Sequence, residues 1–206
     1  MNLLYFFVLA LLTASSLVNS IRWSRIAQRE HYVPGYVGKF YFRWVKLIPF
    51  NNLYFILTII FMILSLWNPY AAVIVAILSI LLPRGLSFNY RTSEVKQTER
   101  IKRLNIVYFI LILLISIGSV FLEYGYFLAL LANVFSFFVY DQALKITKNF
   151  EKNQSQIFVD RAEAKLAKFS GPIVSITGSY SKTTTKNTLK QILSTTNDVF
   201  VTPESY

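Results

Sequence analysis

The chain has 206 residues, of which 54% are hydrophobic, 17% aromatic and only 15% charged. Soluble domains average about 25% charged residues and disordered chains are poor in apolar ones, so neither class fits. There is no cysteine and His31 is the only histidine, which excludes disulfides, thiolate metal sites, catalytic thiols and two-imidazole sites.

The stretch 2–20 carries no charge and is about as long as a bilayer-spanning helix. Its basic flank, Arg22, Arg25 and Arg29, follows the apolar run instead of preceding it, which predicts an anchor and not a cleaved signal peptide. The apolar stretch 53–82 is too long for one crossing and is interrupted by Asn68-Pro69, so it predicts a hairpin of 53–67 and 70–82. The stretch 104–140 breaks at Glu123-Tyr124-Gly125 and predicts spans near 104–122 and 126–140.

Five spans can be checked against the net charge of +11, which comes from 21 Lys and Arg against 10 Asp and Glu. Lys and Arg should gather on the cytoplasmic side of a membrane. They fall in 21–50 (Arg22, Arg25, Arg29, Lys39, Arg43, Lys46), in 83–103 (Arg84, Arg91, Lys96, Arg100, Lys102, Arg103) and in 141–206. The opposite side receives only the N-terminus, the Asn68-Pro69 turn and Glu123. Joining 53–82 into one span would move the basic residues of 83–103 outside, so charge supports the hairpin independently. The expected topology is a multi-pass cell-membrane protein with its N-terminus outside and its C-terminal segment in the cytoplasm.

Within 28–46, Lys39, Arg43 and Lys46 interleave with Phe40, Tyr41, Phe42 and Trp44. Such a pattern suits a segment at headgroup depth, either as ordinary anchoring to membrane lipids or as a pocket for a phosphate-bearing lipid. Glu30 and His31 are sequence neighbours, which does not make a catalytic pair. No span carries a charge away from its ends, which argues against a transporter. Nucleic acid is not an expected partner, because the basic residues mostly flank membrane segments.

The polar stretch 147–156 reads as the boundary between membrane and soluble parts. Phe158, Ala162, Leu166 and Phe169 then recur at helical spacing until Gly171-Pro172. The β-branched run 173–177 predicts a buried strand, a helix follows through about Ser194, and 198–202 predicts a second strand. Between first strand and helix lies Gly178-Ser179-Tyr180-Ser181-Lys182-Thr183-Thr184-Thr185. A strand, a small-residue loop and a helix N-terminus together bind nucleotide phosphates, because unpaired N–H groups and the helix dipole face the anion. Lys182 supplies a full charge for the β/γ-phosphates and the Thr183 hydroxyl a ligand for Mg²⁺. The standard Walker pattern fails, because its two glycine positions hold Ile176 and Ser181. A shorter loop fits, with Gly178 four residues before the lysine. Ser181 keeps the backbone N–H but resists φ > 0.

Residues 176–186 closely resemble the ATP-binding loop of the Mur ligase family. The ending Thr202-Pro203-Glu204-Ser205-Tyr206 looks like a segment of its D-alanyl-D-alanine-adding branch, whose membrane-anchored relatives carry hydrophobic N-terminal regions. The resemblance covers about 170–206. It implies an ATP-dependent amide ligase of cell-wall peptidoglycan synthesis, whose partners are ATP and a precursor carboxylate joined to an amino-acid or dipeptide amine. It also implies that Gly178, Ser179, Tyr180 and Ser181 cradle phosphates, that Lys182 is the catalytic cation, that Thr183 holds Mg²⁺, and that Thr184 adds a further phosphate contact. The 202–206 segment would face the substrate. The family's acidic metal ligands and amine-binding domain lie downstream of this loop, so a continuing reading frame is expected. A poly-γ-glutamate or capsule-type ligase shares the loop, and a non-enzymatic polytopic membrane protein with a fortuitous phosphate-loop-like tail is the third reading.

The expected architecture is therefore an α-helical membrane region over 1–140, a linker and amphipathic helix over 141–170, and the truncated start of an α/β P-loop domain over 171–206.

Overall fold

The computed structural model describes residues 3–86, 97–122 and 125–202, and divides into two compact units, Met1–Ile157 and Phe158–Tyr206. The chain forms α1 (Leu3–Arg29), α2 (Tyr36–Leu47), α3 (Pro49–Leu64), α4 (Tyr70–Leu81), α5 (Glu99–Phe121), α6 (Gly125–Val134), α7 (Ser136–Leu166) and α8 (Lys182–Leu193).

Local chemistry sets several of these boundaries. Gly35, at φ +85, turns the chain into α2 in a conformation that costs a side chain-bearing residue more. Pro49 opens α3, where its missing N–H removes no helix bond. Between α3 and α4, Asn68 Oδ1 accepts from Tyr70 N at 3.0 Å, an Asx turn beside Pro69. Thr98 caps α5 by accepting from Ile101 N at 3.4 Å, with Glu99 in the first turn.

In the first unit α1 packs on α4, α5 and α6. Ala72, Val75 and Ala76 of α4 meet Val8 and Leu12 of α1 in one apolar cluster, and small side chains permit that close approach. Trp23, Tyr41, Tyr108, Phe137 and Tyr140 form a second cluster. Polar side chains stitch the helices together. Asn19 Nδ2 donates to Ser79 O at 3.0 Å, and Tyr108 OH donates to Ser16 O at 2.8 Å. Asn133 Nδ2 donates to Leu12 O at 2.9 Å, to Ser16 Oγ at 3.0 Å and to Ser15 Oγ.

These contacts give the unit two distinct ends. At one, Tyr5 OH donates to Ser119 O and Tyr126 OH to Pro69 O. At the other, Arg22 Nη1 donates to Leu82 O, Trp44 Nε1 to Arg84 O, and the Arg29 guanidinium lies 5.6 Å from the Phe40 ring centroid. Arg100 lies over Tyr32 at this same end, and Arg103 pairs with Glu151 at 2.9 Å.

Two helices, α1 and α5, are long and apolar enough to cross a membrane, or up to four if each of two bent pairs is one span. The outer surface agrees: Ile106, Ile110, Leu113 and Ile117 make an exposed apolar stripe along α5, the kind of face that marks a membrane or partner contact. Among the described residues the helices provide two to four candidate spans by length and composition, not five. The predicted span 126–140 is broken at Phe135, where α6 and α7 bend by 81°, and α2 meets α3 at 111°. The 12 residues of α4 reach only about 18 Å, well short of a hydrocarbon core of roughly 30 Å. Arg91, Lys96, Glu123 and Tyr124 lie outside the described residues.

The expected α/β P-loop start is also overturned. Among the described residues there is no strand: 173–177 and 198–202 are irregular. A strand needs a neighbour to take its N–H and C=O groups, and a face to bury. Here Ile173 is 61% exposed, Val174 62% and Phe200 88%, and no described residue from 158 to 202 is buried. Without a core, the β-branched run has nothing to pair on. The stretch 147–156 is helical, inside α7, and Gly171-Pro172 stands beyond the end of that helix.

Candidate functional site

The loop before α8 lies wholly in the second unit. Thr177 to Ser181 are irregular and α8 begins at Lys182, so Lys182, Thr183 and Thr184 occupy its first turn. Ser181 is the residue before the helix and sits in the left-handed region, φ 62 and ψ 8. Its carbonyl accepts from Thr185 N at 2.9 Å, which closes the first turn, while its side chain makes no capping bond. The position where a phosphate loop carries glycine is therefore held here by serine in a glycine-like conformation.

The left-handed region costs a non-glycine residue roughly 1–2 kcal/mol, and glycine gives back part of that gain as chain entropy. Ser181→Gly is accordingly expected to stabilise the start of α8 by about 1 kcal/mol, slowing exchange of the Thr185 amide about fivefold. Hydrogen exchange read by mass spectrometry over 181–186 measures this.

The other predicted site residues are spread around this turn. Tyr180 is 90% exposed. Thr183 and Thr184, but neither Lys182 nor residues 178–181, also line a shallow open depression along α8 with Asn187, Thr188, Gln191 and Ser194. Lys186 Nζ donates to Thr202 O at 2.6 Å, tying the 198–202 segment to the helix. Pro203, Glu204, Ser205 and Tyr206 lie outside the described residues.

The turn at Ser181 and the cationic first turn of α8 suit a phosphate group. For a metal the fit is incomplete. Thr183 offers one hydroxyl, and among the described residues no group of three or more His, Asp or Glu comes together. Magnesium is ordinarily held by one or two carboxylates plus substrate phosphates, so Thr183 would supply only part of such a site.

Sequence reasoning missed the buried polar residues of the first unit, Asp141, Arg22 and Asn133 among them. Asp141, placed at the edge of a linker, is 2% exposed and accepts from the backbone N–H groups of Gly35 and Gly38, each at 2.8 Å. Arg22 and Asn133 are buried within the bundle. For Asp141 the available signal is the Gly35–Gly38 pair bracketing the start of an amphipathic helix, since bare backbone there admits a close acceptor.

The class these features define is a helical protein, among its described residues, with two to four helices suited to a membrane. No protein-family model, curated protein or solved structure matches the chain.

Proposed function

We propose that the chain serves a membrane-anchored, ATP-dependent amide ligase of Mur type, acting on a cell-wall precursor, with its phosphate loop at 178–184. The observation that carries this reading is the left-handed Ser181 directly before a helix that opens with Lys182 and Thr183. Bound ATP would phosphorylate the acceptor carboxylate and leave as ADP, and the amine would attack the carbonyl carbon of that acyl phosphate, expelling inorganic phosphate to form the amide. Lys182 would balance the phosphate charge, the backbone of 178–181 would cradle it, and Thr183 would offer one oxygen to Mg²⁺. The bundle end bearing Arg22, Arg29, Arg84 and Arg100 faces the cytoplasm, and the end bearing Tyr5, Pro69 and Tyr126 faces out, in keeping with the positive-inside rule.

Charge-assisted hydrogen bonds contribute about 1.5–3 kcal/mol, so Lys182→Ala is expected to weaken Mg-ATP binding at least tenfold. Titration of the full chain in detergent with a fluorescent ATP analogue measures this. Equal affinity for parent and variant would defeat the reading.

One observation favours a second reading, a polytopic membrane protein whose tail only resembles a phosphate loop. The described residues of the second unit form no sheet and bury nothing. Mg-ATP binding that Lys182→Ala abolishes would defeat this second reading.

A further inference from the structure

We propose that α2 lies in the headgroup plane of the membrane and that Lys39, Arg43 and Lys46 bind the phosphates of anionic phospholipids. The wheel of α2 separates cleanly. Val37, Gly38, Tyr41 and Val45 are buried against the bundle, whereas Lys39, Arg43 and Lys46, at helical spacing, form an exposed strip on the other side. Aromatic rings border the strip. Phe42 stands on one edge, and on the other Phe40 stacks on Trp44 with centroids 5.7 Å apart and planes 11° apart.

The 111° bend between α2 and the apolar α3 leaves α2 either at depth, in a broken span or re-entrant loop, or at the surface with α3 alone entering the membrane. Three exposed cations decide between them. Placed at depth with α3, they would face hydrocarbon without counter-charge, whereas at the surface they meet lipid phosphate. Among the described residues, no ion pair uses Lys39, Arg43 or Lys46. Asp141 is taken up by the α2 backbone, and the ion pairs among the described residues all use Glu99 or Glu151. Arg84 belongs to the same ledge: its carbonyl accepts from Trp44 Nε1 at 3.1 Å and its guanidinium lies 5.6 Å from the Phe50 centroid. Rings at headgroup depth with cations reaching phosphate is the arrangement anionic leaflets select.

The occupant is the leaflet itself, since the strip is open and convex and offers no enclosed space for a soluble phosphate. The proposal is independent of the ligase reading, as it rests only on the first unit.

The test reconstitutes the full chain in phosphatidylcholine vesicles with and without phosphatidylglycerol, either lipid carrying brominated tails. Quenching of Trp44, isolated by subtracting the Trp44→Phe signal, reports the lipid beside α2. The parent is expected to favour brominated phosphatidylglycerol, and K39Q/R43Q/K46Q to lose that preference about tenfold. Lys148→Gln with Lys152→Gln, on α7, is expected to retain it. High salt should erase the parent's preference without altering quenching by brominated phosphatidylcholine. This arm needs no variant to fold. An absent preference in the parent, a preference that survives high salt, or equal loss in the α7 control would each overturn the proposal.

Discussion

Asp141→Ala is expected to destabilise the first unit by about 2–3 kcal/mol, the cost of taking the charged acceptor from buried backbone amides. The carboxylate accepts from Gly35 N at 2.8 Å, Val37 N at 3.3 Å and Gly38 N at 2.8 Å. These donors open α2, whose first N–H groups have no acceptor within their own helix. A negative group there also meets the positive end of the helix dipole. The acid reaches them from α7, far along the chain, so it is a cap and a cross-link together. Alanine leaves the Val37 and Gly38 amides buried with no acceptor that water can replace. The variant Asp141→Asn would keep one acceptor oxygen, and its loss should be roughly half as large. The two variants separate charge from hydrogen bonding in a way alanine alone does not. Gly38→Ala probes the same joint from the other side, since its Cβ would stand 3.1 Å from Asp141 Oδ2. Thermal unfolding in detergent, followed by near-ultraviolet circular dichroism of the nearby Trp23 and Tyr41, measures all three. A loss below about 1 kcal/mol for Asp141→Ala would show that α2 is fixed by packing alone.

Where the chain departs from its sequence pattern, the cause can be traced to particular residues. The break at Asn68-Pro69 was legible because proline removes a helix bond and asparagine closes the turn with its own side chain. The break at Phe135 was not. The run around it is uniformly apolar, and periodicity locates faces, not interruptions within one face. The stretch 147–156 looked like a linker because it lacks an apolar stripe, yet Lys, Glu and Gln are good helix formers and α7 passes straight through it. The run 173–177 has strand composition, but composition cannot supply the neighbouring strand a ladder requires. In the loop, the lysine-threonine start of α8 could be read directly. The left-handed Ser181 could be anticipated only as the place where such loops use glycine. Asp141 was the least legible of all, because its role depends on two glycines roughly a hundred positions earlier in the chain.

Phe137→Ala is the second large effect, an expected loss of about 3–5 kcal/mol, the range found for buried Phe to Ala changes. The ring is 1% exposed and stacks on Tyr41 with centroids 4.1 Å apart and planes 16° apart. Trp23 meets it edge-on at 6.0 Å, and Phe42 does so at 5.4 Å. Phe137 therefore stands where α1, α2 and α7 converge, one turn before the Asp141 cap on the same helix. Leucine would refill most of the volume and lose the ring geometry, so Phe137→Leu should cost well under half as much. The two α7 residues act on α2 by different means, one on its amides and one on its side chains. Their losses should not add, because either alone frees the same helix. Local opening then gives a readout that global unfolding does not. In Phe137→Ala, trypsin should reach Lys39 and Arg43 faster than in the parent, while the α1–α4 pairing held by Asn19 and Ser79 keeps its protection. Unchanged cleavage at those two sites, with an unchanged melting temperature, would mean that Val37 and Val45 hold α2 without the aromatic cluster, and the convergence at Phe137 would then be packing without mechanical consequence.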